Sequence, residues 1–181
     1  MTAEPNDNLA AWLRKAMDDH EGALLRYAQR ILGDSERGRD VVQDTFLRLL
    51  ESGRDLDGGH LAQWLFTVCR NRCLDIFRKE RRMTQISEHV EQTHAGSELA
   101  PDDVASGREQ AGRVSAAMSA LPPNQQEVLR LRFQNGFSYK QIAGITGLTV
   151  TNVGFLIHTG IQRLRRRFQV DGHSGREVEM Q

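Results

Sequence analysis

A chain of 181 residues, 39% hydrophobic and 27% charged, has the composition of a soluble protein with room for one domain or two small ones. No apolar run approaches the roughly 18–20 residues of a membrane span, and the N-terminal stretch lacks the apolar core of a signal peptide, so the expected location is the cytoplasm, where two cysteines stay reduced. The net charge is zero but uneven: residues 61–82 hold six basic and two acidic side chains, residues 83–120 two and six, and residues 121–170 seven and one. A polyanionic partner therefore stays open, because the local field decides phosphate attraction.

From about Asn8 to Leu32, the residues Leu9, Trp12, Leu13, Ala16, Met17, Leu24, Tyr27, Ala28 and Ile31 recur at three- and four-residue spacings. That is an amphipathic helix, with an interruption expected near Glu21 and Gly22. Residues 33–40 read as a turn. A second helix is expected from Asp40 to Leu50, with Val42, Phe46, Leu49 and Leu50 on one face and Asp40, Gln43, Asp44 and Arg48 on the other. A loop follows at 52–59, then a third helix from about Leu61 to Arg82.

That third helix contains "WLFTVCRNRCLDIFRKERR" (64–82), which runs from an aromatic segment through two thiols and Asn71 to a basic end. A metal site, a core helix and a nucleic-acid-reading helix compete for it. Cys69 and Cys73 share a helix face, with His60 upstream. One helix offers only two sulfur ligands, no second pair lies nearby, and a disulfide along a helix is strained, so buried thiols are expected and no metal or cofactor.

Residues 83–112 are polar and acidic and read as a linker, flexible at least in part, with helical order resuming near Gln110–Ala120. Pro122 and Pro123 suit a helix entrance, and Val128, Leu129, Leu131 and Phe133 form the expected buried side. Asn135-Gly136 is a break. Ser138 to Gln141 is a capping box opening a short helix to about Ile145. Gly147 is available for a left-handed turn, and Thr149 can cap a helix to about Phe168. Ile142, Ala143, Leu148, Val153 and Ile157 are placed to pack the two helices. No strand pattern and no repeat appears. The fold class is all-α: helical domains at 8–82 and 113–170, a linker at 83–112 and a disordered tail at 171–181.

The short capped helix, glycine turn and longer helix match a helix-turn-helix. Thr149, Thr151 and Asn152 supply a polar first turn for a major groove, and Arg163, Arg165, Arg166 and Arg167 a positive end for phosphates. The plain alternative is a helical hairpin with a solvated basic tail.

Two parts of the chain together resemble bacterial RNA polymerase sigma factors of the extracytoplasmic-function type. "LLRYAQRILGDSERGRDVVQDTFLRLL" and "HLAQWLFTVCRNRCLDIFRKERR" resemble region two, and "ALPPNQQEVLRLRFQNGFSYKQIAGITGLTVTNVGFLIHTGIQRLRRRF" resembles region four. The resemblance implies that Asp40, Val42, Gln43, Asp44 and Phe46 dock on the polymerase. It implies that Asn71, Arg72, Asp75, Arg78, Lys79, Arg81 and Arg82 meet the minus-ten element. Ser138, Tyr139, Lys140, Thr149, Thr151, Asn152, Arg163, Arg165 and Arg166 would meet the minus-thirty-five element. The implied partners are core RNA polymerase, through the clamp helices of its largest subunit and its flap, promoter DNA, and an anti-sigma factor or other regulator. The residues themselves agree with the minus-ten reading. An amide such as that of Asn71 offers a flipped base both a donor and an acceptor, beside Trp64, Phe66 and Phe77 as a rigid back.

Two features depart from the family pattern. Arg37 and Arg39 stand where acids are common: either the positions are peripheral and tolerant, or they weaken docking on a basic surface and make it conditional on added charge, for instance phosphorylation at Ser35 or Thr45. The second long helix carries Gly154, Leu156, Thr159 and Ile161 where basic residues are usual. Weak stand-alone minus-thirty-five binding is expected, with Phe155 and Leu156 beside the stripe of Val153, Ile157, Ile161 and Leu164 either as a partner patch or as an enlargement of the domain core. The acidic linker could also mask the basic faces.

No phosphate loop, nucleophile elbow or carboxylate pair appears, so no enzyme and no catalytic residue is expected. The alternatives are a free-standing helix-turn-helix regulator and a sigma-like interaction module.

Overall fold

The first helix, α1 (Pro5–Leu32), runs unbroken through Gly22, against the expected interruption. One interior glycine costs a helix only about 1 kcal/mol, and Ala16, Leu24, Tyr27 and Ala28 on either side of it are buried. The computed structural model describes residues 5–52, 58–84 and 105–174; the side chains of Arg81 and of a few residues at helix ends lie outside the description. The described residues form seven helices and no strand, as the all-α reading expects. The chain divides into two units, Met1–Ser97 and Glu98–Gln181.

In the first unit, Gly33 ends α1 at φ 70°, a left-handed position that glycine takes without steric cost. One residue later the Asp34 carboxylate accepts from the backbone amides of Glu36 (2.8 Å) and Arg37 (3.2 Å). This N-cap starts α2 (Ser35–Ser52) five residues earlier than the apolar pattern suggests. Gly38 then lets α2 approach α1: a Cβ there would lie 2.8 Å from Gln29 Cγ and 3.3 Å from its backbone nitrogen. The third helix, α3 (Gly58–Thr84), completes a three-helix core of Leu24, Val41, Leu49, Leu65, Phe66, Cys69 and Cys73. Tyr27 and Phe66 meet in it, ring centres 5.1 Å apart.

In the second unit, α4 (Ala105–Ser119) begins inside the stretch read as linker. The rest of that stretch, 85–104, lies outside the described residues. Pro122 caps α5 (Pro123–Phe133), with Pro123 in the first turn. Val128, Leu129 and Leu131 are buried as expected, but Phe133, in the last turn of α5, is 65% exposed and belongs to the surface. Next come α6 (Tyr139–Thr146) and α7 (Val150–Ser174). The last helix therefore extends into the expected tail, of which 175–181 lie outside the described residues. Ile142, Val153 and Ile157 are buried between helices, and Ala143 and Leu148 half-buried.

Candidate nucleic-acid interface

The outward face of α2 carries exposed Asp40 and Gln43 and half-buried Asp44. Val42 and Phe46, 2% and 5% exposed, lie on the apolar side of the helix, since residues three and four apart share one side, and both line the floor of a groove beside that face. Leu47 and Leu50, 49% and 41% exposed, stand outside. Leu50, expected on the apolar face, is therefore at the surface. Leu47 and Leu50 edge this open groove of about 500 Å³ between α1 and α2, together with Leu13, Met17, Leu25 and Gln43. Beside it, Thr45 is fully buried and donates to the Val41 carbonyl at 2.7 Å. A phosphate cannot be added there without opening the core, so Thr45 drops out as a modification site.

The far half of α3 gathers the cations. Arg72, Asp75, Arg78, Lys79 and Arg82 line one open cleft of about 290 Å³. Asn71 is exposed on the same helix and is not part of that lining. Arg81 is on α3, but its side chain lies outside the described residues. Three of the cleft residues already have partners: Arg72 Nε donates to Asp44 Oδ2 at 2.9 Å, and Arg78 Nη1 to Asp75 Oδ1, within the cleft, at 3.2 Å. The first pair joins a residue assigned to polymerase docking with one assigned to DNA. A further ion pair, Arg37 with Glu80, ties the start of α2 to the end of α3. The charge at Arg37 is therefore met within the unit, and only Arg39 stands exposed as an added cation on α2.

The two thiols are packing. Cys69 and Cys73 are free and fully buried. The neighbouring Cys73 thiol and burial push the Cys69 thiol well above the usual range, against a smaller opposing effect of the Thr45 hydroxyl. A thiol held neutral in this way is a poor nucleophile at ordinary pH, and among the described residues no third His, Cys, Asp or Glu joins the pair in a metal-binding group.

In the second unit, the capping box is complete. Ser138 Oγ accepts from the Gln141 amide, and Gln141 Oε1 accepts from the Ser138 amide at 2.9 Å. Gly147 takes φ 74°, and Thr149 Oγ1 accepts from the Asn152 amide at 3.2 Å, capping α7. Ser138 and Thr149 therefore spend hydroxyl acceptors on helix ends. Lys140, Thr151 and Asn152 are exposed, and Tyr139, 40% exposed, lies under the Arg132 guanidinium at 5.5 Å.

Arg163 is exposed, but one end of its guanidinium is held within the unit. Its Nη1 donates to Gln125 Oε1 at 3.0 Å, and buried Gln125 donates through Nε2 to Thr159 Oγ1 at 2.9 Å. This bracket fixes α7 to α5, and Gly160 completes the joint: a Cβ there would lie 2.9 Å from Leu129 Cδ1. Nothing in the local sequence pattern flags either feature. Arg165 and Arg166 are exposed, as expected of the positive end. The expected apolar patch does not form, since Phe155 is 63% exposed but Leu156 only 7%. Adjacent helix residues point about 100° apart, and here that turns Leu156 onto the buried side while Phe155 faces out.

The arrangement has known counterparts. The family model of sigma-70 region 2 matches residues 16–83, which span most of α1 with α2 and α3. That of sigma-70 region 4 matches residues 111–164, from α4 into α7. The ECF RNA polymerase sigma factor SigL of Mycobacterium tuberculosis is 30% identical over 162 residues, covering 88% of this chain and 90% of SigL. This chain belongs to the ECF sigma factors. EcfG of Rhodopseudomonas palustris is 30% identical over 151 residues, 83% of this chain and 81% of its own. Among solved structures, the sigma factor RpoE in complex with the anti-sigma factor NepR from Bartonella quintana shares the fold at TM-score 0.61. It is 24% identical and covers 91% of this chain and 98% of RpoE. CnrH, solved with the cytosolic domain of CnrY, does so at 0.57 with 22% identity, over 88% of each chain. Sigma factors bind core RNA polymerase and promoter DNA and act in transcription initiation; they are regulatory proteins and not enzymes. Among the described residues, no single helix of this sigma factor is long and apolar enough to cross a membrane.

Proposed function

We propose that this sigma factor docks on core polymerase through the outer face of α2 and the groove beside it. Residues 8–82 then handle the minus-ten element and residues 113–170 the minus-thirty-five element, with 83–112 as the connection between them. The observation that carries the reading is the pairing, on one chain, of a cationic cleft at the end of α3 with a doubly capped helix-turn-helix in α6 and α7. Asn71 presents an exposed amide one residue from the cleft, suited to the edge of an unstacked base. Arg78, Lys79 and Arg82 follow the phosphates. Asp40, Gln43, Asp44, Leu47 and Leu50 form the docking face, and the protein works in the cytoplasm.

An anti-sigma partner fits the same groove, since an apolar cleft edged by exposed leucines suits an amphipathic helix. Conditional docking narrows to Ser35. That residue is exposed in the first turn of α2, where a phosphate would meet the positive end of the helix.

Co-purification with core polymerase, followed by transcription from a promoter library with the purified holoenzyme, tests the reading. Transcripts should start downstream of a shared pair of elements. Asn71→Ala should reduce open-complex formation and leave core binding intact. A protein that binds DNA but no core polymerase is a free-standing regulator, and the reading fails. Tight core binding by the unmodified protein removes the role of Ser35.

A further inference from the structure

Thirteen residues, Val150 to Gln162, open α7 without a single lysine or arginine. Over this stretch the helix has no cation with which to grip phosphates. Its buried side is Val153, Leu156, Ile157 and Gly160. At about 100° per residue, Thr151, Phe155, His158 and Gln162 fall within a strip of roughly 60° on the opposite side. All four are exposed. The strip is polar except for Phe155, whose ring is 63% exposed and sits in the second turn. The His158 and Gln162 side chains meet at 3.0 Å just beyond it. Behind it, Gly154 lies against the ring of Tyr139, 3.6 Å from where a Cβ would stand.

A large ring at the centre of a polar face has a cost in water unless something covers it. Leu156, the neighbour that would widen it into a larger apolar patch, turns inward. The flanking groups, a hydroxyl, an imidazole and an amide, are those that read base edges. The apolar feature that a base edge offers in the major groove is the 5-methyl group of thymine.

We propose that Phe155 is a specificity-determining residue that covers one or two thymine 5-methyl groups in the upstream promoter element. The contact replaces, with an apolar term, the cations that the helix lacks. It rests on the reading of α7 as the minus-thirty-five helix and adds to it a base preference and the atom read.

The test uses the full chain as holoenzyme on promoters selected from the library. Each thymine of the upstream element is replaced in turn by deoxyuridine, which removes the methyl group and nothing else. Holoenzyme with Phe155 should lose about fourfold in promoter affinity for each methyl it covers. Phe155→Ala should bind the thymine promoter more weakly by a similar factor and respond to no deoxyuridine. Phe155→Leu should keep part of the response. Far-ultraviolet circular dichroism of both variants controls for folding. Retained deoxyuridine sensitivity in Phe155→Ala, or none in the wild type, overturns the proposal while leaving the minus-thirty-five reading intact. A loss in Phe155→Ala that is equal on thymine and deoxyuridine promoters assigns the ring to a protein contact and also overturns it. Holoenzyme that selects no upstream element ends the underlying reading, and the proposal with it.

Discussion

Helices α3 and α7 share a plan, with an apolar first part and a cationic end, yet they are held in opposite ways. In α3, the charged residues themselves tie the helix to its neighbour, through Arg72 with Asp44 and Glu80 with Arg37. In α7, the partner on the neighbouring helix is uncharged and the rest is steric: the Gln125 amide bridges Thr159 and the Arg163 guanidinium, and Gly160 packs against Leu129. The difference bears on function. A helix held by its own cations gives up an internal partner when it binds a phosphate or a base. A helix held by an amide and a close backbone approach presents its outer face at no such cost. On the proposed function, docking at Asp44 and DNA binding at Arg72 would therefore be coupled through their ion pair, whereas the outer face of α7 would be set before any partner arrives.

The strongest way to break the contrast is Gly160→Val. The added carbons enter space that buried Leu129 occupies, and the second unit should lose about 2–3 kcal/mol, measured as a lower midpoint in thermal or urea unfolding. Hydrogen exchange in α1 to α3 should not change. Next in size is Gln125→Ala, which leaves the Arg163 guanidinium and the Thr159 hydroxyl without their bracket. A loss of about 1–2 kcal/mol is expected, with little dependence on salt.

A double-mutant cycle on Asp44 and Arg72 should give a smaller coupling, about 0.5–1 kcal/mol, because both groups are more than a third or close to a third exposed. That coupling should fall as salt rises, whereas the Gln125 effect should not. If the two respond to salt alike, the contrast between charged and neutral joints is wrong. Asp44→Ala should in addition raise the affinity of the free protein for single-stranded minus-ten DNA, since Arg72 is released.

The smallest effect concerns pH. Burial holds the His20 pKa below its usual 6.5, outweighing the raising effect of Asp19, while Lys15 lowers it further. The unfolded chain then takes up the proton more readily than the folded one. Stability should fall slightly as pH drops through 6.5 and level off below the folded pKa. His20→Gln should remove that slope from the unfolding midpoint of the first unit.

Much of this was legible in the sequence wherever the deciding interaction spans four residues or fewer. The capping box at Ser138, the left-handed Gly147, the Thr149 cap and the proline entrance to α5 all formed as read. The start of α2 is equally local, since Asp34 after Gly33 caps it, but the cap lies five residues ahead of the first apolar-periodic turn, so apolar spacing by itself places the start too late.

What the sequence by itself determined is the all-α class, the two helical units, the packing role of the thiols and the helix-turn-helix, because backbone caps and 3.6-residue periodicity act between near neighbours. Only the tertiary structure decided which side of each amphipathic helix is covered. Leu156 went inside, and Leu47, Leu50, Phe133 and Phe155 stayed outside. It also decided which basic side chains have a partner within their unit, placing Arg72 on Asp44 over 28 residues and Arg163 on the Gln125 amide over 38. Periodicity marks a helix as two-sided, but the width and position of the buried stripe depend on the neighbour that packs against it. That neighbour is set by the fold of the whole unit and by no short stretch of chain.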